Sequence, residues 1–491
     1  MSARLWWSYL VVFVASGCTL IIEIVAGRIV APYVGVSIYT WTSVIGVVLA
    51  GISLGNYCGG LVADRWASRR TLGVVLGLGG LSSLAILPLI ALTTNHSYPP
   101  HFSLVAKIVV MTAIIFFPPS FILGMVSPVV IKLVLRDLAR TGGVVGRIYA
   151  FSTLGSIVGT FLTGFVLIAS FGTRLIVLGV GLTLLLMALV FGGLAGSRKT
   201  AAAIAVGVAI VLVGARNLHA LSSGCTRETD YYCIRVESQE IDGRQLQQLI
   251  LDHLIHSYSD LNDPTYLNYG YERVYAELTD YVARRHADFR ALHLGGGGYT
   301  MPRYIETVYP RATDDVLEID PGVTATAYSS MGIRPSPRVR TTNIDARLGV
   351  VSLPHDHQYQ LIFGDAFNDL SVPYHLTTRE FDRQLSQLLA PDGFYLANII
   401  DKLRGGRFLA SVVGTLRTVF PYVYVLNDFA SWDSAAQNTY VVAASASPID
   451  PQRLAAVRGQ GPSGAPTTTL MPADRMAAWL AESHPILLTD D

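Results

Sequence analysis

Leu292-His293-Leu294-Gly295-Gly296-Gly297-Gly298-Tyr299 is a short apolar run that opens into four consecutive glycines. Glycine lacks a Cβ, so the chain can turn sharply there and a ligand can approach the backbone at a strand end. A glycine turn alone is a weak signal, and its neighbours decide its meaning. Val316-Leu317-Glu318-Ile319-Asp320-Pro321 follows, roughly 20 residues on, where an acidic side chain is placed to accept hydrogen bonds from ribose hydroxyls. Asn343-Ile344-Asp345-Ala346-Arg347 closes a third run, and Phe363-Gly364-Asp365-Ala366-Phe367-Asn368-Asp369 closes a fourth. Any one of these acids reads as a loop cap. In order, all at strand ends, they outline a ligand crevice at the carboxyl edge of a parallel sheet.

Working outward, strands are expected at Ala291–Leu294, Asp315–Ile319, Val339–Thr342, Gln360–Phe363, Gly393–Ile399 and Val423–Leu426, with helices between them. Such alternation predicts an α/β Rossmann-like domain of the class I methyltransferase type over 263–447. Tyr271–Arg284 reads as a helix leading into it. Upstream, Tyr231–Ser238 and Gln245–Asp252 flank the turn signal Ile241-Asp242-Gly243-Arg244, which predicts a small β-hairpin subdomain over 222–262. Residues 448–491 are richer in Pro, Gly and Ala and read as a linker with a short helix near Pro472–Ser483.

The first 221 residues are of another kind. The chain is 51% hydrophobic and only 14% charged, against about 25% charged in an ordinary soluble protein. The deficit lies before Arg227. Apolar segments of spanning length run at Ser8–Val25, Thr40–Val62, Leu72–Leu92, Leu104–Leu135, Ile148–Ser170, Leu175–Ala195 and Ala201–Leu221, a bundle of seven expected spans. The fourth is too long for one straight helix and contains Pro118 and Pro119, so a kink or break is expected. Many more apolar segments follow the first one, and it has no small-residue cleavage site, so it reads as retained. Glycines such as Gly51, Gly55, Gly155 and Gly159 read as close-packing positions. Glu23, inside the first span, is either a functional group at membrane depth or a partner of Arg28.

Arg65, Arg69, Arg70, Arg136, Arg140, Arg147, Arg198 and Lys199 fall in alternate loops, which predicts that those loops and the N-terminus face the cytoplasm. Seven spans then place the α/β domain outside it, in the periplasm for a bacterial-type inner membrane. A fourth segment that crosses twice would return the domain to the cytoplasm. Cys225 and Cys233 flank the first strand, as two thiols or as a disulfide. A disulfide fits an oxidising compartment. The net charge of +1 and the lack of a basic patch with interleaved aromatics exclude a nucleic-acid partner on electrostatic grounds. The expected partners are a lipid bilayer and a small molecule, with homo-oligomerisation left open. The stretch Gly60-Leu61-Val62-Ala63-Asp64-Arg65-Trp66-Ala67-Ser68-Arg69-Arg70 resembles the cytoplasmic loop motif of major facilitator transporters. It marks either a transport-like ancestry or, the favoured reading, a charged turn that locks two helices.

From Glu228 to Leu426 the chain resembles the spermidine synthase (polyamine aminopropyltransferase) family, in its membrane-fused branch. Glu228-Thr229-Asp230-Tyr231-Tyr232, Leu251-Asp252-His253, Tyr271-Glu272-Arg273-Val274-Tyr275, the glycine turn, Glu318-Ile319-Asp320-Pro321, Asp345-Ala346-Arg347 and Asp365 through Phe381 carry the resemblance. It implies nucleoside contacts from Tyr231, His256, Gly295, Gly296, Gly297, Glu318, Ile319, Asp345 and Ala346. It implies catalytic roles for Asp365, Tyr275 and Asp369. No metal and no cofactor beyond the nucleoside substrate, S-adenosylmethionine or its decarboxylated form, is expected.

Departures from the family shape the expected reaction. The family's glycine turn carries an Asp that clamps the donor's aminopropyl amine, and Gly298-Tyr299 stands there. Ala276 replaces a glutamine after Tyr275, Asn368 an acid of the catalytic loop, and His256 a glutamine after Leu251-Asp252. A pocket with fewer fixed acceptors for a dication suggests that S-adenosylmethionine itself is cleaved at its Cγ–S bond. Its own carboxylate would close a homoserine lactone and release methylthioadenosine. The alternatives are aminopropyl transfer from the decarboxylated donor to a polyamine and, from another class, a nucleoside-binding sensor or transporter.

Overall fold

The computed structural model describes residues 3–94, 102–135, 141–193, 198–218, 220, 224–354, 358–366, 373–429, 432, 436–460 and 466–491. They form two compact units, Met1–Cys233 and Ile234–Asp491.

The first unit is helical. Six helical segments are long and apolar enough to cross a membrane: Trp6–Val34, Ile38–Trp66, Arg69–Thr94, Leu104–Val134, Thr141–Ser170 and Thr173–Phe191. The seventh expected span is the helix Arg198–Asn217, whose apolar part Ala202–Asn217 is shorter than the other six segments. The fourth segment does break, but not at Pro118 or Pro119. Helix Leu104–Gly124 runs through both, and a second helix starts at Val126. The cause is Pro128. It has no N–H for the carbonyl of Gly124, and its ring crowds that carbonyl. The fifth segment carries a π-turn at Thr163–Leu167. Glycines let the helices close on one another. A Cβ on Gly55 would run into the carbonyl of Phe121, and one on Gly155 into that of Phe13. Asp64 of the charged turn pairs with Lys132 at 2.7 Å. Arg28 donates to the carbonyls of Thr229 and Tyr231, and among the described residues it makes no ion pair with Glu23. Cys225 and Cys233 form a disulfide.

The second unit holds an eight-stranded sheet. Its order is Thr469–Leu470, Tyr422–Asn427, Gln437–Ser445, Leu389–Lys402, Tyr359–Gly364, Arg290–Leu294, Thr313–Leu317, Val339–Thr342. The last five of these are mutually parallel, and the first three run antiparallel at one edge. Side chains alternate between two cores. Ala291, Leu361, Phe363, Phe394 and Leu396 meet Tyr275, Leu278 and Tyr304 on one face. Leu292, Leu294, Ile362, Tyr395 and Ala397 meet Leu385, Leu409 and Val413 on the other. The order reverses beside Arg290–Leu294, whose neighbours are Thr313–Leu317 and Tyr359–Gly364. Ligands of open α/β sheets bind at that reversal.

The expected hairpin is larger than two strands. Cys233–Ile241 pairs with Arg244–Leu251 around Asp242 and Gly243, both at positive φ as a two-residue hairpin turn requires. Arg244–Leu251 then pairs with a further strand, Leu254–Asp260. Arg303, on the helix after the glycine turn, fixes that strand through Ser259 Oγ (2.6 Å) and the Asp260 carbonyl (2.7 Å). The expected C-terminal linker is also packed. The buried carboxylate of Glu277 accepts from the amides of Gln460, Thr467 and Thr468. Thr469–Leu470 adds to the sheet edge, and helix Ala473–Ser483 seals the end through Trp479.

Candidate active site

The glycine turn is shaped by what it must pass. Gly295 has φ +98°, and a Cβ there would lie 2.5 Å from the carbonyl oxygen of Asp365. The Asp365 amide in turn donates to the Leu294 carbonyl at 3.0 Å. The first and fourth strand ends therefore cross at a position only glycine fits. Glu318 ties the turn to the second strand end. One carboxylate oxygen accepts from the amides of Gly296 (2.8 Å) and Gly297 (3.3 Å), the other from Asp320 (2.9 Å). Burial pushes the Glu318 carboxyl above its ordinary range, and the amide bonds oppose that rise. Ile319 is half-buried beside it. Asp345 caps helix Ala346–Ser352 through the amides of Arg347 and Leu348, and its second oxygen meets His375 Nε2 at 3.0 Å. Ala346 is buried in the first turn of that helix.

A cavity opens beside the turn. Its lining includes His256, Tyr271, Glu272, Tyr275, His293 and Asp365, together with Gly295, Gly296 and Gly297. Asp365 accepts from the Tyr271 hydroxyl at 3.0 Å and from Asn398 Nδ2 at 2.8 Å. Burial raises its carboxyl, and these two donors work against the rise. Glu272 is 2% exposed, and its carboxylate accepts from the Tyr269 amide at 3.2 Å. Burial pushes it up to about 8, chiefly against the pull of that amide bond. A cation entering the cavity would favour the carboxylate and oppose that rise.

One residue sits differently from what the motif implied. The Tyr275 ring lines the cavity and packs edge-on against Tyr271, but its hydroxyl donates to the Leu396 carbonyl at 3.1 Å. Tyr271, one helical turn earlier, is the tyrosine on Asp365. Tyr231 lies in the first unit, 42% exposed. Asp369 falls outside the described residues.

Sequence reasoning missed Asn398, Ser257 and the roles of Tyr271 and Glu272. The i, i+4 spacing of Tyr271 and Tyr275 was the available signal, since it puts both on one helix face. Ser257 explains the bare turn. Its hydroxyl accepts from the Gly298 amide at 2.8 Å, and a Cβ on Gly298 would lie 2.5 Å from the Ser257 Cβ. A side chain at 298 is excluded by packing, not simply missing. Tyr299 follows at φ +58°, a left-handed conformation that costs a non-glycine residue about 1–2 kcal/mol. Its buried hydroxyl, 3.1 Å from both Thr324 and Thr341, offsets that cost.

No family model matches the chain. A polyamine aminopropyltransferase of Vibrio vulnificus is 37% identical over 110 residues, covering 22% of this chain and 37% of that protein. Polyamine aminopropyltransferase 2 of Ralstonia nicotianae is 31% identical over 166 residues, covering 33% of this chain and 30% of that protein. The chain thus spans about a third of the length of these relatives. Among solved structures, a probable spermidine synthase from Corynebacterium glutamicum is 23% identical with TM-score 0.46, over 52% of this chain and 93% of that one. The α/β unit is similar to the polyamine aminopropyltransferases, and these transferase relatives support an enzyme. The helical unit has the length and apolarity of a membrane protein.

Proposed function

We propose that the α/β unit transfers the aminopropyl arm of decarboxylated S-adenosylmethionine to an amine and releases methylthioadenosine. The observation that carries this reading is Asp365, held by Tyr271 and Asn398 at the edge of the glycine turn, with Glu272 in the same cavity. Two carboxyl groups walled by tyrosines suit an ammonium group that must be held, aligned and relieved of a proton. The similarity to polyamine aminopropyltransferases points the same way. In the reaction the acceptor amine loses one proton, and its lone pair then attacks the carbon next to sulfur. The C–S bond breaks, and its electrons neutralise the sulfonium. Glu318 and Asp345 are the proposed ribose and adenine contacts, with His256, Ile319 and Ala346 around them.

A second reading rests on one feature, the packing of Ser257 against Gly298. It leaves no room for an acid on the donor's tail, which favours a donor that keeps its carboxylate and closes a lactone. Incubation of the purified full-length protein with each donor, with and without a diamine, separates the readings by mass spectrometry. Transfer predicts methylthioadenosine only with decarboxylated donor plus amine. Release from S-adenosylmethionine alone would replace transfer by cyclisation. No release from either donor would leave a sensor or transporter.

In this reading the enzyme is a multi-pass protein of the inner (plasma) membrane, acting on a small molecule without a metal. The Cys225–Cys233 disulfide supports an extracytoplasmic α/β unit. Protease added to intact spheroplasts should then digest that unit. Full protection until lysis would place it in the cytoplasm.

A further inference from the structure

A histidine–aspartate couple lies in the floor of the cavity, and no step above uses it. His293 Nε2 meets Asp314 Oδ1 at 2.8 Å, and the two residues are 3% and 1% exposed. Strand register places them. His293 pairs with Val316 on one side and Phe363 on the other. Side chains two apart along a strand share a face. Asp314, two before Val316, and Asp365, two after Phe363, therefore both fall on the face of His293. The imidazole stacks on Phe363, with ring centres 4.7 Å apart and planes 13° apart, and lines the same cavity as Asp365. Among the described residues, Asp314 Oδ2 makes no hydrogen bond, and His293 bonds through Nε2 alone.

A histidine held through one nitrogen by a buried carboxylate, with its ring lining a substrate cavity, has the arrangement of an oriented general base. The reaction calls for one. An alkylamine titrates near lysine, at about 10.4, and arrives as an ammonium ion. A carboxylate holds that ion well but is a weak base. An imidazole, at about 6.5, is better matched to neutral pH.

We infer that His293, oriented by Asp314, is the general base that takes the proton from the acceptor ammonium held on Asp365. The assignment rests on the aminopropyl-transfer reading. The proton moves from the ammonium to His293 Nδ1, and the freed lone pair forms the new C–N bond as the C–S bond breaks. The secondary ammonium product keeps its own protons, and His293 returns its proton to solvent. The titratable groups around His293 are Asp314, which it bonds, and Asp365, Glu272, Tyr271, Tyr275 and His256, which line the same cavity.

The test compares two nucleophiles on the full-length protein: a diamine, and an alkoxyamine that is already unprotonated at pH 7. With the diamine, His293→Gln should lower kcat by about 100-fold or more and flatten the pH dependence of the rate that the wild type shows. With the alkoxyamine, most of that gap should close. Asp314→Asn should show the same pattern in weaker form. A structural role would slow both nucleophiles alike, and that result overturns the assignment. So does a wild-type pH profile retained in His293→Gln. If the wild-type protein alkylates neither nucleophile, the transfer reading itself falls and the base falls with it.

Discussion

Asp365→Asn is expected to lower kcat for amine alkylation by about 10³-fold, with donor affinity changed little. The carboxylate accepts from two directions, Tyr271 on one oxygen and Asn398 on the other. An amide keeps one acceptor and presents an NH2 group on the other side, so one of the two present donors must turn to accept. It also removes the charge that holds an ammonium ion in a buried site, where an uncompensated cation is costly. The proposed donor contacts, Glu318 and Asp345, lie on other strand ends and should persist. Steady-state kinetics with calorimetry of nucleoside binding separates the two effects. Equal losses in kcat and donor affinity would mean that Asp365 shapes the pocket and does not act on the amine.

Gly295→Ala should have the largest effect on the fold around the site. The backbone at 295 sits at φ +98°, and a new methyl would lie 2.5 Å from the Asp365 carbonyl oxygen. Backbone strain of this kind costs about 1–3 kcal/mol, and the clash is with backbone, which cannot swing aside. A loss of about 3 kcal/mol or more in the stability of the α/β unit is expected, together with loss of nucleoside binding. Denaturation followed by a signal from that unit checks the first, and calorimetry the second. A variant that binds the nucleoside normally would show that the crossing of the two strand ends is not tight.

The crevice was legible in the sequence because glycine and acidic residues at strand ends follow from local rules. Gly295–Gly297, Glu318, Asp345 and Asp365 each follow a short β-run, and the sheet brings those ends to one edge. Partners supplied by tertiary packing were not legible. Asn398 sits inside an apolar strand, and only the pairing of that strand brings it to Asp365. His293 lies inside one expected strand and Asp314 just before another, and only the register sets them face to face. Leu254–Asp260 was not expected as a strand, and Ser257, Ser259 and Asp260 are residue types common in turns. They are buried because Ser257 binds the Gly298 amide and Arg303 binds Ser259 and the Asp260 carbonyl. In the helical unit, Pro118 and Pro119 drew attention from Pro128, whose missing N–H falls where the break occurs.

The most direct test of transfer is stoichiometry. Purified full-length protein in detergent is given decarboxylated S-adenosylmethionine and a diamine, and methylthioadenosine and alkylated amine are counted together by mass spectrometry. The account predicts equal amounts of both, each abolished by omitting either substrate. Methylthioadenosine formed without an alkylated amine, or no turnover at all, would contradict it.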